Sequence, residues 1–251
     1  MSRNQIYILV GGCLLALCGV GALAVGVYFL APTLADQLNP IPEVVSIVPE
    51  PYSNVSGNSM GDPDAPIKME EFSDFQCPYC QHFHDATENL LMEEYISTGK
   101  VYFTYRSMGN FVSDNLARSM GASANTESQD AALAAYCAGD QNKFWEMQTY
   151  LFANVLGENV GSFTDRRIHV IAEKAGLDMD QFSDCYGSEK YAKDIQQDLA
   201  DGQAAGIMGV PSFVLTYTVD GVTINRLIEG AQPFSNFQQE LESILDEIGA
   251  Q

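Results

Sequence analysis

Cys77 and Cys80 stand in the run Phe75-Gln76-Cys77-Pro78-Tyr79-Cys80, between an apolar stretch and a helical one. Upstream, Ile67 to Phe72 reads as a short, mostly buried strand. Downstream, Phe83, Ala86 and Leu90 recur at helical spacing, so Cys77 is expected where a strand hands over to a helix. Free N–H groups and the positive end of the helix dipole favour an anion there, which stabilises Cys77 as a thiolate. The second cysteine lies one helical turn on, within reach of the first. Pro78 suits the first turn, where its missing N–H is not needed.

Zinc is the competing reading of such a pair. A structural zinc site calls for a second pair at matching spacing, and the sequence has none. His82 and His84 follow closely, but ligands crowded into one helix start make poor tetrahedral geometry. A redox dithiol is the stronger reading, with no metal and no organic cofactor.

The chain has 251 residues and six cysteines. Its formal charge is -21, with only 12 Lys and Arg, which excludes a nucleic-acid partner because phosphate binding needs a basic surface. Ile6 to Ala31 is apolar and carries no charge, long enough to span a bilayer. Arg3 before it places the N-terminus in the cytoplasm and the rest outside. Residues 1–35 are therefore expected to be a single-pass membrane anchor, with a cleaved signal peptide ending near Thr33-Leu34-Ala35 as the rival. Cys13 and Cys18 fall inside that run. The four remaining cysteines suggest two disulfides in an exported domain, one functional and one structural.

Residues 36–61 carry Pro40, Pro42, Pro49 and Pro51 and are expected to be an irregular linker that holds the domain off the membrane. The domain then runs over 62–251. Alternation along the first strand puts Ile67, Met69 and Glu71 on one face. Buried beneath a dithiol, Glu71 would have a raised pKa and could shuttle a proton; at the strand end it would be solvated. Lys100 to Arg106 is a second strand. A block of short helices follows, over Ala131 to Cys137, Asn142 to Phe152, Arg167 to Ala175 and Met179 to Tyr186. Cys137 and Cys185 both fall in it, and a bond between them would staple the block. Tyr191, Ile195 and Leu199 mark a longer helix. Pro211 opens a strand over Phe213 to Thr218, Asp220-Gly221 turns the chain, and Val222 to Ile228 returns. A last helix begins near Pro233 and buries Phe237, Leu241 and Ile244. His82, His84 and His169 read as surface histidines.

This order resembles a thioredoxin-like α/β fold with an inserted α-helical subdomain, about residues 110–190, as in the DsbA family of thiol-disulfide oxidoreductases. The motifs that carry the resemblance are Glu71-Phe72-Ser73-Asp74-Phe75-Gln76-Cys77-Pro78-Tyr79-Cys80, then Tyr136 to Glu146, then Gly209-Val210-Pro211-Ser212-Phe213. It looks like the membrane-anchored bacterial or archaeal branch. The resemblance implies that Cys77 is the exposed nucleophile and Cys80 its buried partner. Pro211 matches a cis-proline against the dithiol, and Val210 offers backbone groups to an extended substrate, beside Pro78 and Tyr79. Glu71 matches a buried acid, and Cys137 with Cys185 an additional disulfide. The implied activity is oxidation of cysteine pairs in exported proteins, outside the cytoplasm, by a monomer that a membrane partner of the DsbB or vitamin-K-epoxide-reductase (VKOR) type reoxidises. A reductase or isomerase of the same fold and a non-catalytic peptide-binding module are the alternatives.

Overall fold

The computed structural model describes residues 40–49, 51–52, 54–121 and 124–249. Among these, no helix is long and apolar enough to cross a membrane; the expected span from Ile6 to Ala31 lies outside them. The chain divides into a unit ending at Glu43 and a unit beginning at Val44. Of the first, residues 40–43 are described and carry no regular structure.

The second unit is built on a six-stranded sheet: β1 (Val55–Ser56), β2 (Ser59–Met60), β3 (Ile67–Ser73), β4 (Val101–Ser107), β5 (Ser212–Val219) and β6 (Val222–Glu229). Their spatial order is β1-β2-β4-β3-β5-β6. Only β3 and β4 pair in parallel, with Glu71 opposite Tyr105. Parallel neighbours need a crossover, and a helix supplies it. That helix, α1, runs through four consecutive segments: Pro78–Phe83, the π-helical His84–Glu88, Asn89–Leu91 and the π-helical Met92–Ile96. β5 and β6 form the expected hairpin, with Asp220 and Gly221 both at positive φ in the turn.

The other helices are α2 (Phe111–Met120), α3 (Glu127–Gly139), α4 (Phe144–Ala153), α5 (Asp165–Lys174), α6 (Met179–Gly187), α7 (Ala192–Ala204) and α8 (Phe234–Ile248). One face of the sheet is sealed by Phe83 of α1, Phe213 of β5 and Phe237 of α8, whose rings meet at 4.5 to 5.5 Å between centroids. Across the sheet, Phe72 packs with Met108 and Ile207 in a smaller cluster under α7. The inserted helices surround Trp145, Phe144 and Phe152, all fully buried. Cys137 and Cys185 are bonded and join α3 to α6.

Three elements depart from the sequence reading. Helix α2 was not expected, because its buried positions include Ser113 beside Val112 and Ala117, which blurs the apolar period. The segment expected to be linker packs from Val44 onward. Val45 exchanges hydrogen bonds with the Asn154 side chain (2.6 and 3.2 Å), the Tyr150 hydroxyl donates to the Ile47 carbonyl at 2.9 Å, and Val55–Met60 form a hairpin on β4. Its prolines forbid helix but not a strap held by side chains from α4. Third, Ala86 and Leu90 of α1 face solvent. The buried stripe runs instead through Cys80, His84, Thr87, Glu88 and Leu91, and a hydrophobic period cannot see its polar members.

Gly202 of α7 packs closely on Met108 and on Phe72 of β3. A Cβ there would stand 2.6 Å from Met108 Sδ and 2.9 Å from Phe72 Cδ1. Overpacking of this kind costs about 1–3 kcal/mol and outweighs the ~1 kcal/mol that alanine's helix propensity returns. Gly202→Ala is therefore expected to lower the urea midpoint; an unchanged or raised midpoint would show that α7 is free to move outward.

Candidate active site: a buried dithiol at a helix start

The chain leaves β3 at Ser73 and turns through Asp74, whose carbonyl accepts the Cys77 N–H at 3.0 Å. Cys77 has extended backbone (φ -73°, ψ 120°) and caps α1, with Pro78 as the first helical residue. Its carbonyl already accepts the Gln81 N–H at 3.0 Å, so the helix begins at the cysteine itself. Cys77 is 5% exposed, Cys80 is fully buried, and neither is bonded to another cysteine. Pro78 and Tyr79 project outward, Tyr79 at 68% exposure.

From far along the chain, the loop before β5, the strand beside β3, meets the dithiol. The Val210–Pro211 peptide bond is cis, and the Cys77 thiol donates to the Val210 carbonyl at 3.5 Å. Beside this contact lies a groove of about 400 Å³, lined by Cys77, Phe111, Val112, Leu116, Glu158 and Val210.

The two sulfurs are driven in opposite directions. The Cys77 pKa is lowered, first by a hydrogen bond from Cys80, against the cost of burial, and further by the backbone N–H groups of Cys80 and Tyr79. Asp74 opposes this by charge. The Cys80 pKa is raised well above its ordinary value, by burial first, then by Cys77 and by Glu71. One sulfur is thus prepared to carry charge and the other to hold a proton, which is the asymmetry that thiol–disulfide exchange needs.

Glu71 lies beneath the pair, 1% exposed. Burial raises its pKa well above the carboxylate range, with Glu88 adding to the effect. Its Oε2 has no hydrogen-bond partner among the described residues, nor have the hydroxyls of Ser73 and Tyr105. The solvated alternative for Glu71 does not hold. Nor does the surface reading of His84, which is 8% exposed and has Nδ1 3.3 Å from Glu88 Oε1. Cys80, His84 and Glu88 follow at intervals of four along α1; that spacing is the sequence signal for the stripe, and an apolar period does not register it. No cluster of His, Cys, Asp or Glu among the described residues is arranged to hold a metal ion.

The residue before Cys77 is also built in. The Gln76 amide donates to the Ser113 and Ser128 hydroxyls, both at 2.9 Å, and accepts from the Asn159 N–H at 2.6 Å. It therefore fixes the β3–α1 turn to α2, α3 and the loop after α4. On the opposite side of the turn, Asp74 accepts from the Gln76 N–H at 2.9 Å and the Val112 N–H at 3.0 Å.

Burial pushes the Asp74 carboxyl up to about 6, against those two N–H donors. The folded protein then binds this proton more tightly than the unfolded chain, whose carboxyl titrates near ~3.9. The resulting stability is complete below about pH 4 and is lost as pH rises through about 6, at up to roughly 1.4 kcal/mol per pH unit. Carbon-detected NMR should place the Asp74 midpoint near 6, with urea stability contributed by this group falling over the same interval. A midpoint near 4 would contradict the burial account.

Comparison with known proteins fits this geometry. A family model described as "Thioredoxin" matches residues 53–232. The chain is 28% identical over 153 residues to the Na(+)/H(+) antiporter NhaA 1 of Salinispora arenicola, a match that takes 61% of this chain but only 20% of that one. It is 27% identical over 165 residues to a probable disulfide bond formation protein D of Bacillus anthracis, covering 65% of this chain and 71% of the relative. In three dimensions it superposes on alpha-DsbA1 of Wolbachia pipientis with a TM-score of 0.63 at 21% identity, over 79% of this chain and 94% of the other. The chain belongs to the thioredoxin family, and its fold is the DsbA-like form in which a helical block is inserted into the thioredoxin sheet.

Proposed function

We propose that this thiol-disulfide oxidoreductase works as an oxidant, donating its Cys77–Cys80 disulfide to cysteine pairs of exported proteins. The observation that carries the reading is the opposite drive on the two sulfurs, Cys77 lowered at the helix start and Cys80 raised in the core. A substrate thiolate attacks Cys77 Sγ; the Cys77–Cys80 bond breaks, and its electron pair goes to Cys80. Glu71 is the acid that protonates Cys80. A second substrate thiolate then attacks the substrate sulfur of the mixed disulfide, and Cys77 leaves as a thiolate. The substrate has lost two electrons, and the dithiol has gained them.

In this reading, Val210 and Pro211 hold an extended substrate segment against Cys77, with Pro78 and Tyr79 on the rim. The Cys137–Cys185 bond is structural. The apolar run from Ile6 to Ala31 supports a single-pass membrane location with the dithiol outside the cytoplasm. A membrane protein of the DsbB or VKOR type would reoxidise it. The relative called a disulfide bond formation protein supports the oxidising direction.

The test is the reduction potential of Cys77–Cys80 in the full-length protein. Equilibration with glutathione and site-resolved alkylation keep Cys137 and Cys185 out of the signal. A potential toward the oxidising end, around -120 mV, is expected. A potential near roughly -270 mV would overturn the oxidising direction and make the protein a reductant.

A further inference from the structure

Two carboxylates, Glu71 of β3 and Glu88 of α1, are each 1% exposed beneath the dithiol. Burial disfavours a bare charge on either, so charge there must be neutralised by a proton or a cation. Among the described residues, no lysine or arginine forms an ion pair with Glu71, Glu88 or His84. The cation within reach is His84 itself, with Nδ1 3.3 Å from Glu88 Oε1 and not aligned as a hydrogen bond. Gln148 of α4 donates to the other Glu88 oxygen at 3.1 Å, fixing the carboxylate from the far side. Phe152 packs on the imidazole at 5.2 Å between centroids. The remaining titratable neighbours are Cys77 and Cys80 on α1, Tyr105 on β4, and Asp85, which acts on His84 from the exposed side of α1.

We propose that Glu71, Glu88 and His84 form one buried unit with His84 as its port to solvent, so that each cycle of the dithiol is linked to protonation of His84. The inference rests on the reading of Cys77–Cys80 as an exchanging pair. When Cys80 leaves as a thiolate it takes the Glu71 proton, and a new negative charge is left in the core. That charge raises the proton demand of the whole unit. The protonated His84, the member with residual exposure, passes its proton inward, Glu71 is reloaded, and His84 takes up a replacement proton from water. Electrons stay on the two sulfurs throughout; only the proton passes. Glu88 and His84 are positioning residues, acting on the sulfur through Glu71. Burial opposes charge on His84, but Glu88 and Asp85 together hold the imidazole pKa above the ordinary value.

The experiment uses full-length protein and the imidazole proton signals of His82, His84 and His169, followed against pH in the oxidised and the reduced states. His84 is assigned by its loss in His84→Gln. The wild-type His84 midpoint is expected to move by about half a pH unit or more between the two states, as a change in one nearby buried charge requires. The same midpoint in both states would overturn the linkage. Oxidation of a model dithiol peptide is measured in parallel from pH 5 to 9. Glu88→Gln is expected to slow it by about tenfold, less than the full worth of a general acid, and to flatten its pH profile while the alkylation profile of Cys77 stays in place. A wild-type pH profile in Glu88→Gln would also overturn the inference. Wild-type protein that exchanges with peptide thiols but shows one His84 midpoint defeats the linkage alone. Wild-type protein that exchanges with no peptide defeats the functional reading, and the linkage with it.

Discussion

Burial of a sulfur at the start of a helix is the constraint on which the rest depends. Cys77 must hold charge in a place where water is nearly absent, and three sources of polarity make that possible: the Cys80 thiol and the N–H groups of Tyr79 and Cys80. Each comes from the same helical turn, so the stabilisation exists only if the helix begins at residue 77. Pro78 helps by fixing the first turn without a wasted donor. Asp74 shapes the turn from below, through two backbone N–H groups, and burial holds its carboxyl up to about 6, so that it gives up its charge only in mild acid. Above that pH the Asp74 carboxylate works against the thiolate it positions, and the helix start must outweigh it.

Packing converts this local geometry into an asymmetric pair. Phe83, Phe213 and Phe237 clamp α1 onto the sheet, which drives Cys80 into the core while Cys77 stays at the groove. Gln76 carries the constraint outward, because its amide is satisfied only by α2, α3 and the loop after α4 together. The helical insertion is therefore more than a lid on the sheet: its hydroxyls hold the turn that presents the nucleophile. The Cys137–Cys185 bond joins α3 to α6 within that insertion and limits how far the Ser128 side can move.

Much of this was legible in the residues. The strand over 67–72, the dithiol helix, the β5–β6 hairpin and the last helix each follow from period and turn chemistry, and the structure has them within a residue or two. Helix α2 was hidden because Ser113 takes a core position to serve Gln76, and a polar residue there breaks the apolar count. The strap from Val44 to Tyr52 was hidden because prolines report only what backbone cannot do, whereas its hold comes from Asn154, Tyr150 and Thr149 far along the chain. The polar stripe of α1 was missed for the same reason as α2. Functional polarity sits where a core pattern expects hydrocarbon, so the sites of failed patterning are the sites of chemistry.

The measurement that bears most directly on this account is the pH dependence of alkylation in the reduced full-length protein, with Cys77 and Cys80 resolved by mass. The account predicts that Cys77 reacts first and that its rate titrates below the ~8.5 of an ordinary cysteine, with Cys80 silent until the protein unfolds. A Cys77 midpoint at or above that of an ordinary thiol, or modification of Cys80 ahead of it, would contradict the claim that the helix start stabilises charge on one sulfur and burial denies it to the other.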